Sequence, residues 1–211
     1  MSSACHHDRI DALEAVWQRW ASLGAELSEQ EWSTATRCTG WDVAALYAHV
    51  GMFPPLLVDA AAMETTTGQQ ATAVEILRGF NAPGGAAHAM AEQIAQEAAA
   101  TASTLDRAEL VAHYADLGAR AVTALRHRPA TALVPWPGSG AVAPWSEAIR
   151  IVLMESVVHL LDVLDALGRA PEVAPAALRE TAHLLAEVAE PVALNEAATG
   201  RSSRSPLPVL R

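Results

Sequence analysis

Apolar residues recur at helical spacing along most of the chain. Ile10, Leu13, Trp17, Trp20 and Leu27 share one face, with Glu14, Arg19 and Glu26 off it, and predict a first helix over 8–27. A polar loop over 28–40 leads to Thr39-Gly40-Trp41-Asp42. Asp42 is a suitable N-cap for a second helix through Val43, Leu46, Tyr47 and Val50. Pro54-Pro55 is expected to kink or interrupt that helix before 56–63 resumes it. Residues 65–85 read as loop with a short helix around 74–77, and the Ala-rich run 86–102 as a weakly amphipathic helix. A stronger helix is predicted over 107–126, with Leu110, Tyr114, Leu117, Ala121 and Leu125 inward and Pro129 stopping it. Four prolines and two glycines make 129–144 an irregular connection with room for a short extended pair.

The stretch 145–167 is apolar nearly all round, and Gly168 ends it with Pro171 just beyond. An Ala/Leu helix over 175–192 and an extended tail over 200–211 complete the chain. No internal repeat or clear linker divides it. The expected architecture is all-α, a helical bundle in one domain spanning 1–211, with its core over about 8–170 and a C-terminal helix and tail over 171–211.

Composition narrows the function classes. Of 211 residues 51% are hydrophobic and 18% charged, which excludes a disordered chain. Aromatics at 5% and abundant Ala argue against an all-β fold. The net charge is −10, all 14 basic residues are Arg, and the one basic cluster is Arg126-His127-Arg128, so a nucleic-acid partner is not expected. Two cysteines, Cys5 and Cys38, make no disulfide framework, and neither is expected to be bridged or catalytic. The start, Met1-Ser-Ser-Ala-Cys-His-His-Asp, lacks the basic-then-apolar pattern of a signal peptide. The apolar run 149–167 carries Arg150, Glu155, His159, Asp162 and Asp165, too many ionisable groups for lipid. A cytoplasmic protein without a membrane partner is expected; a homodimer is compatible with the sequence.

The informative feature is a polar stripe on the driest helix. Glu155, His159 and Asp162 stand at i, i+4, i+7, flanked by Ile151, Val152 and Val158. Buried charges must pair or hold a metal. An acidic-x-x-x-His pair alone is weak, since about one is expected by chance in a chain of this composition. A second, Glu109 and His113, continues into Asp116 and Arg120 and reads as a solvated face. For Glu155 and His159, a buried hydrogen-bonded pair and a metal site both remain open. A metal would need a third ligand, and His49, amid Leu46, Ala48 and Val50 on the second helix, is the candidate. His6 and His7 read as surface residues or an adventitious site near the terminus; His88, His127 and His183 have no supporting pattern.

Two segments carry a resemblance. Arg37-Cys-Thr-Gly-Trp-Asp-Val-Ala-Ala-Leu-Tyr-Ala-His49-Val resembles the C-x-G/D-W-[TD]-V-x-x-L-x-x-H segment of the mycothiol-dependent maleylpyruvate isomerase-like family, within the DinB/YfiT-like superfamily. Met154-Glu155-Ser-Val-Val-His159-Leu-Leu-Asp162-Val-Leu-Asp-Ala-Leu-Gly168 is similar to its second signature, E-x-x-x-H-x-x-D-x-x-x-A-x-G. The resemblance covers about 8–170 and implies a DinB/YfiT-like four-helix bundle with extra short helices and an extended tail. Its core helices would lie near 8–27, 42–63, 107–126 and 145–167. It also implies a divalent metal, usually zinc, on His49, Glu155 and His159, and mycothiol as a thiol cofactor or co-substrate. A metal-held thiolate would add to an electrophilic small molecule, giving cis–trans isomerisation or S-transfer. Asp162 would orient a ligand or cofactor group. The isomerase's catalytic arginine lies in a further domain, so it has no match here; Arg201, Arg204 and Arg211 of the tail are the available cations, and maleylpyruvate is not the expected substrate. The alternative is a metal-binding protein of this fold without thiol chemistry, a hydrolase or a non-catalytic binding protein.

Overall fold

The computed structural model describes residues 3–63, 66–202 and 205–210. Helix α1 (Ser3–Glu26) is followed by a single turn, α2 (Glu29–Trp32), and then by α3 (Val43–Val50) and α4 (Phe53–Ala62). Next come α5 (Ala73–Asn81), α6 (Ala86–Ala89) and α7 (Ala91–Thr104). Helix α8 (Arg107–Ala112) passes through a π-helical turn, His113–Leu117, into α9 (Gly118–Arg126). The strands β1 (Leu133–Pro135) and β2 (Val142–Pro144) precede α10 (Trp145–Ala166), α11 (Pro175–Val188) and α12 (Pro191–Ala198). The four arms of the bundle are α1, α3–α4, α8–α9 and α10. Helix α1 packs on α10 and α8–α9, α4 packs on α9, and α3 lies between α10, α8 and α7. The all-α DinB-like expectation holds, and the strands form only an antiparallel hairpin pairing Val134 with Ala143.

Indole N–H groups fix how α10 sits. Trp17 Nε1 donates to Ser156 Oγ at 3.1 Å and Trp20 Nε1 to the Ser156 carbonyl at 2.9 Å, both fully buried. Trp20 in turn stacks on Tyr114, with centroids 5.2 Å apart, and meets the edge of Tyr47 at 4.6 Å. With one side of α10 held against α1 by these contacts, Glu155 and His159 point elsewhere. Below them Arg150, buried on α10, is paired with Glu147 and with Glu187 of α11, while Arg9 of α1 reaches Glu180 at 2.6 Å.

The second helix departs from expectation. Pro54 and Pro55 do not interrupt it; they stand in the first turn of α4, where a missing N–H costs nothing. The break falls earlier, at Gly51–Met52, just after His49. Asp42 caps α3 as expected, accepting from the Ala45 N–H at 2.8 Å. At the other end α3 is held from the π turn: Tyr114 Oη donates at 2.7 Å to the Tyr47 carbonyl, which also accepts from the Gly51 N–H, and His113 Nδ1 donates to the Gly51 carbonyl at 2.8 Å. His113 is therefore half-buried and tied to α3 rather than part of a solvated face. Glu109, which the spacing paired with it, instead closes a capping box with Asp106, and Asp116 and Arg120 are exposed as expected.

Other boundaries shift for local reasons. Helix α5 is longer than the expected turn because Thr72 and Glu75 cap it reciprocally. Residues 175–192 do not form one helix: α11 ends at Val188, and Pro191 opens α12, an element the periodicity did not predict. His6 is not a surface residue but only 2% exposed, with burial lowering its pKa, whereas His7 is exposed. Arg201 is exposed and bonds the Thr199 carbonyl, and Arg204 and Arg211 lie outside the described residues. Among the described residues Val43–Ala62 is the run long and apolar enough to cross a membrane; it comprises two helices and is mostly covered by the bundle.

Two glycines distinguish close packing from open helix surface. A Cβ at Gly24 would lie 2.6 Å from Val111 Cγ2 and 2.9 Å from Tyr47 Cε1, and Tyr47 is held by its hydroxyl on the Trp20 carbonyl at 3.0 Å. At Gly79, in α5, a Cβ would meet nothing within 4 Å. Replacing Gly by Ala gains about 1 kcal/mol of helix propensity, while overpacking a core costs about 1–3 kcal/mol. Chemical denaturation of Gly79→Ala should therefore show a gain of up to about 1 kcal/mol, and Gly24→Ala a net loss.

Candidate metal centre

His49 is the one residue of α3 that is not fully covered, since the rest of that short helix is packed from several sides. The indole of Trp41 meets its ring at right angles with centroids 5.0 Å apart. Across from it, the His159 ring of α10 lies 5.3 Å away and also nearly perpendicular. His159 Nε2 is 3.4 Å from Glu155 Oε2. Ligand atoms of His49, Glu155 and His159 all lie within 4.8 Å of one another. The two helices thus bring together the three residues that the sequence spacing singled out.

Asp162 acts on the other nitrogen of the same ring. Its Oδ2 accepts from His159 Nδ1 at 2.9 Å and from the Cys38 thiol at 3.3 Å, and its Oδ1 accepts from Arg37 Nε at 2.6 Å. Asp162 is 5% exposed, whereas the Arg37 side chain is 55% exposed, so the pair spans from the interior to the surface. Donation from Nδ1 to a carboxylate fixes the tautomer and leaves Nε2 facing Glu155. Helical spacing assigns no chemistry to Arg37, Cys38 or Trp41, and Cys38 is expected only to be neither bridged nor catalytic. All three belong to the Arg37–Trp41 loop segment that carried the resemblance, and that placement was the available signal.

Without a metal the His159 imidazolium supplies the positive charge beside His49 and Glu155, and a cation bound there would displace its Nε2 proton. Burial lowers the His49 pKa to about 4, with His159 adding to the effect, so His49 is a neutral imidazole, the form that binds metal. Burial alone would push Glu155 up and His159 down, but their mutual attraction outweighs it. Glu155 is held below the ordinary carboxylate range, and bonds to Asp162, Cys38 and Glu155 hold His159 above the ordinary imidazole range. The donor set, two imidazoles and one carboxylate, is that of a catalytic zinc site, and two ligands at zinc distance in a tetrahedron are about 3.3–3.4 Å apart. The separation of His159 Nε2 and Glu155 Oε2 matches it. A second cluster, Cys38, His159 and Asp162, is as compact, but its carboxylate already accepts from three donors, one of them a guanidinium. The residues fit one divalent cation in the first cluster.

Among the described residues these are the two groupings of potential ligands, and neither includes His6, His7, His88, His113, His127 or His183. Both cysteines are free. Two concavities flank the bundle. One, about 540 Å³, lies between α4 and α9 and is lined by Val58, Ala61, Ala119 and Arg120, away from the centre. The other, about 460 Å³, is walled by the 33–42 loop, the start of α3 and the end of α7, and includes Trp41.

Removing Asp162 strands three donors at once. Asp162→Ala should lower stability by about 1–3 kcal/mol in chemical denaturation, the usual cost of leaving buried polar partners unmet. Asp162→Asn, which keeps an acceptor oxygen, should cost less.

Comparison with curated proteins and with solved structures returns no match. Comparison with protein families matches residues 13–164 to the mycothiol maleylpyruvate isomerase N-terminal domain, a span that begins within α1 and reaches Leu164 near the end of α10, with every residue of the centre inside it. The chain belongs to the mycothiol maleylpyruvate isomerase N-terminal domain family.

Proposed function

We propose that His49, Glu155 and His159 bind one divalent cation, zinc by the nature of the donor set, and that the protein uses mycothiol in a reaction with an electrophilic small molecule. The observation that carries this reading is the convergence of these three ligand atoms from two helices within 4.8 Å, in a chain of a mycothiol-linked family. A bound divalent cation with three protein ligands supplies an open position at which a thiol loses its proton and is held as thiolate. His49 contributes a neutral donor, kept neutral by burial. Glu155 contributes the single negative charge, which leaves the centre net positive and suited to an anionic sulfur. Asp162 is the residue that orients His159, and Arg37 anchors Asp162 in turn. Trp41 shields one side of His49 from water.

Addition of the thiolate to an electrophilic carbon gives either cis–trans isomerisation, through addition, rotation and elimination, or net S-transfer. In isomerisation the thiol is regenerated; in S-transfer it leaves in the product. The whole chain is taken as one metal-binding unit acting in the cytoplasm on small molecules. The net charge of −10 opposes a nucleic-acid partner.

Elemental analysis of protein refolded with zinc should give one zinc per chain. Glu155→Gln keeps the shape and removes the charge, and His49→Ala removes the donor on α3, so both should lower zinc affinity. Asp162→Ala should weaken zinc binding about 10- to 100-fold through the loss of its hold on His159. No zinc in the wild type, or full affinity in all three variants, would leave a helical bundle with a buried Glu–His pair. Calorimetry with mycothiol against glutathione tests the thiol step. Failure to bind either thiol by a zinc-loaded protein would leave a metal-binding protein of this fold without thiol chemistry.

A further inference from the structure

The cluster of Cys38, His159 and Asp162 meets the His159 ring at its other nitrogen and offers a donor set of a different kind. Cys38 Sγ is 3.3 Å from Asp162 Oδ2, His159 Nδ1 is 2.9 Å from the same oxygen, and the three ligand atoms all lie within 4.8 Å of one another. Two protons join them, one on sulfur and one on nitrogen, both directed at Oδ2. The third donor to this carboxylate, Arg37 Nε, sits on the other oxygen, Oδ1, at 2.6 Å. A cation that displaces the two protons therefore frees sulfur, nitrogen and Oδ2 together, and Arg37 keeps its bond.

Geometry and charge both allow that exchange. At zinc bond lengths a tetrahedron sets sulfur and oxygen about 3.6 Å apart, and nitrogen and oxygen about 3.4 Å apart. The present separations are shorter by a few tenths of an ångström, so the side chains need only spread slightly. One dication in place of two protons, which pass to solvent, leaves the net charge unchanged. Arg37 on Oδ1 orients the carboxylate from outside, as ligating carboxylates require. The way in is from the surface, because the Arg37 side chain is 55% exposed and Cys38 is half-buried. Sulfur sets the preference: a thiolate selects a softer ion than two imidazoles and a carboxylate do.

The two clusters share one ring, and the ring cannot serve both as a neutral imidazole. Coordination through Nδ1 leaves the remaining ring proton on Nε2, which then faces Glu155 Oε2 at 3.4 Å as a donor and is lost as a ligand. We infer that Cys38 Sγ, His159 Nδ1 and Asp162 Oδ2 form a second cation site, selective for thiophilic dications, and that filling it empties the His49–Glu155–His159 centre. The second site stands on its own donor atoms; its antagonism to the centre rests on the metal reading above. His159 is the selector, and its tautomer decides which of the two sites is complete.

The test uses the full chain carrying Cys5→Ser, which leaves Cys38 as its one thiol. Cadmium(II) is the probe, since its bond to a thiolate gives an ultraviolet charge-transfer band. Titration should bring that band to saturation at one cadmium per chain. In the same background Asp162→Ala should weaken cadmium binding at least about tenfold, while His49→Ala leaves it unchanged. Cadmium added to zinc-loaded protein should release the zinc, read with a chromogenic chelator. Cys38→Ser should need at least about tenfold more cadmium for the same release. Absence of the band, a band indifferent to Asp162→Ala, or one that weakens in His49→Ala overturns the second site and leaves the centre intact. A saturated band with zinc retained overturns the antagonism, since both sites are then filled at once. If the protein holds no zinc yet gives the band in His49→Ala, the centre fails and the second site stands.

Discussion

A carboxylate, an imidazole and a second carboxylate stand on one stripe of a helix that is otherwise nearly all apolar, and burying them unpaired would cost several kcal/mol. The bundle around α10 is arranged to satisfy that demand. Asp162 accepts from His159, Arg37 and Cys38 together. Glu155 and His159 hold each other charged against the pull of burial. On the opposite side Trp17 and Trp20 clamp Ser156, so the helix cannot rotate its polar stripe out of register. The stripe is consequently rigid as well as buried. A metal ligand needs that rigidity, because its donor atoms must already stand close to their bound positions.

The third donor comes from a helix that is short for a reason. Helix α3 ends at Val50, one residue after His49, and that end is held from the π turn by Tyr114 on the Tyr47 carbonyl and His113 on the Gly51 carbonyl. A π turn inserts one residue into a helix and is a costly local geometry found often at functional sites. Here its effect is specific: Tyr114 and His113 both reach the end of α3, which fixes the helix carrying His49. The aromatic cluster of Trp20, Tyr47 and Tyr114 ties the same junction to α1. The positions of His49 and of Glu155 are thus both referred to α1, the former through Tyr47 and Trp20 and the latter through Ser156 and Trp17.

Much of this was legible in the residues. The apolar spacing in 8–27, 107–126 and 145–167 placed three arms of the bundle, because the hydrophobic face of a helix is a local property of the chain. Asp42 as a cap and the i, i+4, i+7 stripe were also visible, for capping and helical facing depend on neighbours in sequence. The departures share a cause. Pro54-Pro55 predicts a kink or interruption, yet proline is equally at home in a first turn, and only the packing of Phe53 and Pro54 decides which. The amphipathic pattern predicts a solvated His113, and the π turn that swings it onto Gly51 has no sequence signature. Nearness to the terminus predicts a surface His6, yet α1 begins at Ser3 and carries it into the core.

What the amino-acid order determined by itself is therefore the set of helices and which residues share a face: Glu155, His159 and Asp162 on one stripe, His49 on another. What only the tertiary structure decided is how those stripes meet. It brought His49 within reach of Glu155 and His159, turned Asp162 to the far nitrogen of His159, and closed the loop so that Arg37 and Cys38 reach Asp162 while Trp41 meets His49. The reason is range. Helix formation and capping are written in residues three or four apart, whereas the centre joins positions more than a hundred residues apart, and their distance depends on how every side chain between the helices packs.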